Sequence, residues 1–148
     1  MFLIRYITVL FAAICASVVT WIGMAKGYLK PPVEPPKWLF GLMWTIIYVL
    51  FAIAWGEVSA DPEAICEWNA DFWFSLNLLL NVGWCVAYFI FGNVMVSLVI
   101  ITLLLAVCAY QLHMLYSLNF QYELSKFALW VYFGWLTIAT LLNISVLY

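Results

Sequence analysis

Charge is what this chain nearly does without. Its 148 residues include five Lys or Arg and seven Asp or Glu, 8% in all, where a soluble domain has roughly a quarter. So few charges cannot cover a soluble surface, which excludes an ordinary water-soluble globule. They are also bunched. Residues 6–25, 38–56, 72–122 and 127–148 carry no Asp, Glu, Lys or Arg. Histidine is down to one, His113, with no Cys or acid at ligand spacing. It reads as a cap on the fourth helix at the membrane interface, not as a metal ligand. No metal site and no Ser-His-Asp set is expected, and no catalytic residue is assigned. The four cysteines (15, 66, 85, 108) show no pairing pattern and read as small apolar side chains. A net charge of −2 offers no basic patch for nucleic acid. There is no internal repeat, low-complexity tract or second domain.

What the chain has in quantity is apolar length, and 69% of it is hydrophobic. A bilayer crossing takes about 20 apolar residues. The pattern predicts one all-α integral membrane domain over 1–148, a bundle of five transmembrane helices. Their bounds are about 4–25, 37–57, 70–91, 94–115 and 123–147. Arg5 before an apolar run with Ala12, Ala13 and Ala16 also permits a cleaved signal. The run is longer than a usual signal core, so a retained span is the reading. Four prolines between residues 26 and 36 keep the first loop from being helical throughout. Gly92-Asn93 reads as a tight turn. The second loop, 58–69, is polar and acidic. Lys26, Lys30 and Lys37 flank the first loop, against Arg5 and Lys126 on the other side. By the positive-inside bias, the first loop and the C-terminus are expected in the cytoplasm.

Polar and aromatic residues inside the spans point to a site, because the bilayer penalises each polar group that lacks a partner. Phe40, Trp44 and Tyr48 fall four apart on helix two. Asn77, Asn81, Trp84 and Tyr88 share a face of helix three, and Tyr132, Trp135, Ala139 and Asn143 one of helix five. Facing one another, these stripes would enclose an aromatic chamber with a few amides. The plainer reading is that Asn and Trp glue helices together, or that Trp and Tyr anchor at the interface. Trp21, Trp68, Trp73 and Trp130, near span ends, read as anchors. On helix three, Gly83 and Ala87 make a small-xxx-small pair that Phe91 extends. That face is expected to form a homodimer, with internal packing as the alternative.

These same residues carry a family resemblance. The run Pro35-Pro36-Lys37-Trp38-Leu39-Phe40 is followed by Trp44 and Tyr48. A second motif runs Asn81-Val82-Gly83-Trp84, then Tyr88-Phe89. A third sets Trp135, Ala139, Leu142 and Asn143 in register. In order, spacing and five-helix plan the chain resembles the translocator protein family, also called the tryptophan-rich sensory protein (TspO) family. It departs at Met24-Ala25, Val33, Leu42, Cys85 and Val131. The resemblance implies a pocket inside the bundle, roofed by the first loop, that takes porphyrins such as protoporphyrin IX or haem, or sterols. The matching ligand positions are Trp44, Tyr48, Asn81, Trp84, Cys85, Trp135 and Ala139, with Trp38 at the mouth. Lys26, Lys30 and Lys37 are candidates for a ligand's carboxylates, or simply signal topology and meet lipid headgroups. Light- and oxygen-dependent porphyrin degradation involving Trp44 and Trp135 is the enzyme alternative. Leu118, Tyr122 and Lys126 match a generic sterol pattern, and membrane lipid is the remaining partner.

Overall fold

The computed structural model describes residues 2–117 and 122–148, and among them the chain is helical with no strand. The elements are α1 (Phe2–Lys26), α2 (Lys37–Val58), α3 (Pro62–Cys66), α4 (Ala70–Cys85), α5 (Val94–Ser117) and α6 (Glu123–Ser145). α4 continues without a break into a π-helical turn, Val86–Ile90. The five long helices, counting α4 with its π turn as one, are long and apolar enough to cross a membrane. They close a ring in the order α1, α2, α6, α5, α4 and back to α1. The ring creates an interior, and the polar stripes of α2, α4 and α6 fall inside it.

Local chemistry sets the boundaries. α1 stops before Gly27, whose positive φ of 83° reverses the chain ahead of the prolines. The Pro36 carbonyl accepts the first free amides of α2, from Leu39 and Phe40. The turn into α5 uses Gly92 at φ 60°, and Asn93 Oδ1 caps α5 by accepting from the Val96 amide at 3.0 Å. On α5, which is apolar all round, Ser97, Ile101, Leu104, Cys108, Gln111 and Leu115 repeat every three or four residues and form the buried stripe. Val94 and Leu112 are buried beside it, and Met95, Val96, Val99 and Leu103 are exposed on the opposite side.

The acidic second loop does more than the sequence suggested. It contains α3, capped by Asp61, whose side chain accepts from the Glu63 amide at 2.9 Å with Pro62 in the first turn. Carboxylates on either side of the loop, Glu57 at the end of α2 and Asp71 at the start of α4, hold the long helices. Asp71 accepts from Arg5 through two bonds of 2.8 Å, from Trp55 Nε1 at 2.7 Å and from Ser59 Oγ at 3.0 Å. One carboxylate thus ties α1, α2 and α4 together. Glu57 accepts from the amide and the hydroxyl of Ser125, closing the first turn of α6. Tyr122 donates to Asp61 at 2.6 Å. That bond holds the Asp61 carboxyl below its ordinary range. Burial and the neighbouring carboxylate raise the Tyr122 hydroxyl.

The π turn was not foreseen. It lengthens the hydrogen-bond step, with the Phe91 amide reaching the Val86 carbonyl at 3.1 Å. The residues beyond Cys85 are rotated, so Tyr88 and Phe89 are both buried. This corrects the expected dimer face. Ala87 is only 5% exposed within the single chain, whereas Phe91 is 75% exposed. Gly83 still opens on free space. α1 packs tightly on this turn: a Cβ on Gly23 would lie 2.4 Å from the Phe89 carbonyl oxygen. Backbone cannot yield as a side-chain tip can. Gly23→Ala is therefore expected to destabilise the protein by about 1–3 kcal/mol, read as a lower unfolding midpoint in detergent. An unchanged midpoint would show that α1 does not need this close approach.

Candidate functional site

The interior of the ring holds a chain of hydrogen bonds that crosses it from α2 to α5. Tyr48 Oη donates to Asn81 Oδ1 at 2.5 Å. Asn81 Nδ2 donates to Tyr132 Oη at 3.1 Å, and Tyr132 donates to Asn77 Oδ1 at 3.0 Å. Asn77 Nδ2 then donates to Gln111 Oε1 at 2.7 Å. Gln111 Nε2 finds no acceptor among the described residues. A second cluster lies toward the first loop. Trp84 Nε1 and Ser97 Oγ both donate to Asn143 Oδ1, at 3.1 and 3.0 Å, while Asn143 Nδ2 donates to the Val94 carbonyl at 3.2 Å.

Above this polar floor the rings gather. Trp84 stacks on Tyr88, centroids 5.7 Å apart and 18° from parallel. Trp44 lies 6.1 Å from Trp84 and meets Trp135 edge-on at 6.5 Å. Phe40 is 6.0 Å from Trp135 and 6.3 Å from Phe89. The three aromatic stripes read from the sequence do converge.

They do not enclose one chamber, however. Among the described residues they border two separate hollows. The inner one, beneath the first loop, is lined by Phe40, Trp84, Tyr88, Trp135, Ala139 and Asn143, with Glu34 and Lys37 at its roof. Its volume is about 40 Å³, little more than the space of one water molecule. The outer one is a crevice between α1 and α2 of about 380 Å³, lined by Trp44, Tyr48 and Cys85 with residues of α1. Met24, Lys37 and Phe40 border both and form the partition.

Among the expected site residues, Trp84, Trp135 and Ala139 line the inner hollow, while Trp44, Tyr48 and Cys85 line the crevice. Asn81 lines neither; it is buried and engaged with Tyr48 and Tyr132. Trp38 is a correction. It is 70% exposed and borders neither hollow, because two residues of helix turn it about 200° away from Phe40. Of the three lysines only Lys37 reaches the hollows, and Lys26 and Lys30 are exposed beyond them. Trp68, expected as an interfacial anchor, is 2% exposed and packs on Phe74. Trp21 and Trp130 are exposed. His113 is exposed near the end of α5. The four cysteines are free, and among the described residues no group of His, Cys, Asp and Glu is placed to hold a metal. Leu118 of the sterol pattern lies outside the described residues.

The sequence indicated a roof formed by the first loop but not what fastens it, nor the α1 wall. Tyr88 Oη donates to the Leu29 carbonyl at 2.8 Å and so holds the first loop to the bundle, while Tyr28 donates to Glu34 within the loop and packs its ring on Tyr88 and Phe89. Burial and then the Glu34 carboxylate raise the Tyr28 hydroxyl, which keeps it a donor. On α1, Ala13, Ser17 and Thr20 fall three or four apart on the crevice face. That spacing of small residues was the available signal. One polar atom in the inner wall is unspent. Trp135 is 6% exposed, and its Nε1 has no acceptor among the described residues.

Comparison with known proteins bears on these positions. A family model described as the TspO/MBR family matches residues 4–148. The chain is 32% identical over 140 residues to the tryptophan-rich protein TspO of Archaeoglobus fulgidus, a match covering 88% of this chain and 80% of that one. It is 34% identical over 77 residues to the tryptophan-rich protein TspO of Chlorobaculum tepidum, covering 51% and 49%. It is 28% identical over 123 residues to the protein CrtK of Rhodobacter capsulatus, covering 79% and 72%.

Tyr132 is the phenol at the centre of the crossing chain, taking a bond from Asn81 and giving one to Asn77. Tyr132→Phe strands Asn81 Nδ2 and Asn77 Oδ1 in a dry interior. Its expected cost is about 1–3 kcal/mol, measured as a fall in the detergent unfolding midpoint. An unaltered midpoint would mean the amides repartner without it.

Proposed function

The chain belongs to the TspO/MBR family, and from that membership and the geometry of its interior we propose a receptor or translocator for flat, mainly apolar aromatic ligands, porphyrins such as protoporphyrin IX or haem foremost. The observation that carries this reading is Trp135. Its indole N–H is buried without an acceptor in the wall of a hollow lined by stacked rings. A buried donor left unpaired is costly, and a ligand carbonyl or carboxylate would satisfy it. The indole faces of Trp84 and Trp44 supply stacking, worth about 0.5–1.5 kcal/mol per good pair beyond burial. Lys37 at the roof is the cation nearest a ligand's carboxylate edge.

The inner hollow as it stands is far below the ~300 Å³ at which ligand pockets begin. A tetrapyrrole enters this reading only when the partition at Phe40 swings aside and the first loop lifts. The Tyr88–Leu29 bond and the packing of the Tyr28 ring on Tyr88 and Phe89 are what such a movement would break. A sterol is the second ligand class, and its single hydroxyl would compete for the same indole.

The orientation with first loop and C-terminus in the cytoplasm is part of the proposal. Arg5 is ion-paired with Asp71, which leaves Lys126 against three lysines on the first-loop side. A homodimer through the Gly83 face is also proposed, with Phe91 but without Ala87 on the contact surface.

Titrating protoporphyrin IX into the detergent-solubilised protein is expected to quench tryptophan fluorescence saturably. Trp135→Phe keeps the ring and loses the donor, so it should weaken binding by about 1 kcal/mol, roughly fivefold. Trp44→Phe should weaken it as well. Linear, unsaturable quenching in the unaltered protein would refute the reading. Loss of the porphyrin spectrum under light, with a defined product, would favour the degrading enzyme.

A further inference from the structure

We propose that the crevice between α1 and α2 is a phospholipid site, in which one acyl chain of an anionic glycerophospholipid lies with its phosphate at Lys37. Its shape suits a chain better than a plate. Along α1 the lining runs from Met24 to Leu10, which at 1.5 Å per residue is about 21 Å. Half of a bilayer core is about 15 Å, so the slot reaches from one membrane surface past the midplane. Small side chains keep it open: Ala13 and Ser17 on α1 face Gly41 and Thr45 on α2. Cys85 of α4 closes it from behind, with Trp44 and Tyr48 beside it. Lipid around a membrane protein ordinarily meets convex helix surfaces; here it meets a recess of about 380 Å³.

Charge at the mouth selects the headgroup. Lys37 borders the crevice, no acidic residue does, and exposed Lys26 and Lys30 stand at the same end. The one carboxylate of this loop, Glu34, accepts from Tyr28 and borders the other hollow. Trp21, exposed and bordering the mouth, sits where indoles mark the headgroup level. A phosphate without a compensating choline fits this setting better than a zwitterion.

The site is defined without any porphyrin, so its test is too. The full chain in detergent, stripped of lipid, is titrated with phosphatidylglycerol or with phosphatidylcholine of the same chains, and retained lipid is counted by native mass spectrometry. One phosphatidylglycerol should be held in preference. Lys37→Gln should reduce that preference by about fivefold. Gly41→Leu should abolish retention of both lipids; a Cβ at Gly41 meets nothing within 4 Å, so the substitution starts from open space and the variant's unfolding midpoint should match that of the unaltered protein. Thr45→Leu, filling the slot one turn deeper, should do the same. Equal retention of the two headgroups by the unaltered protein overturns the proposal. So does undiminished retention by both slot-filling variants, or stronger binding of oleate than of phosphatidylglycerol. Porphyrin quenching that survives any of these results leaves the proposed function standing.

Discussion

A hydrocarbon core has no hydrogen bonds to offer, and this one constraint arranges the whole interior. Every amide and phenol that the spans carry must find its partner on another helix. Tyr48, Asn81, Tyr132, Asn77 and Gln111 do so in a single line through α2, α4, α6 and α5. That line fixes the rotation of each helix about its own axis. Once those rotations are set, the rings one turn further along the same stripes must face one another. The aromatic site is thus a consequence of how the polar groups are satisfied, not an independent feature laid on the fold.

The same rule governs the end of the bundle away from the first loop, with full charges in place of amides. Arg5 and Asp71 are side by side in a sheltered place, and Trp55 and Ser59 complete the carboxylate's shell. Breaking such a pair strands a charge, which is far worse than never having had it. One end of the molecule is therefore pinned by ionic and cap contacts. The opposite end, where the hollows lie, is closed by one phenol bond to a proline-rich loop, which a second such bond braces internally. The contrast in fastening leaves the end over the site the less firmly tied of the two.

What could be read from sequence followed periodicity. The spans are long uncharged runs, and the inward stripes of α2, α4 and α6 obey the helical repeat, so both were legible. Asn81 was legible as an inward residue but not as one consumed by neighbours, since pairing depends on which helix comes to lie opposite. Trp38 shows the limit of a motif: the pattern names the tryptophan, yet the helix turns it outward. The π turn escaped because nothing in Val86–Ile90 announces an extra residue in the helix. It alone accounts for the misplacement of Ala87. The division into two hollows depends on side-chain angles at Met24, Lys37 and Phe40, which no pattern encodes. The structural role of the acidic residues in and beside the second loop was not legible because their partners lie more than fifty residues away or on another helix.

In the crossing line every proton points the same way. Tyr48 gives, each amide passes the favour onward, and Gln111 ends with an N–H that has nowhere to go. Aligned dipoles reinforce one another in a medium of low polarisability. The protein consequently has a permanent transverse polarity, electron-rich at the α2 edge and electron-poor at α5. Any guest approaching Tyr48 from the lipid meets lone pairs there, since the phenol's own hydrogen is already committed inward.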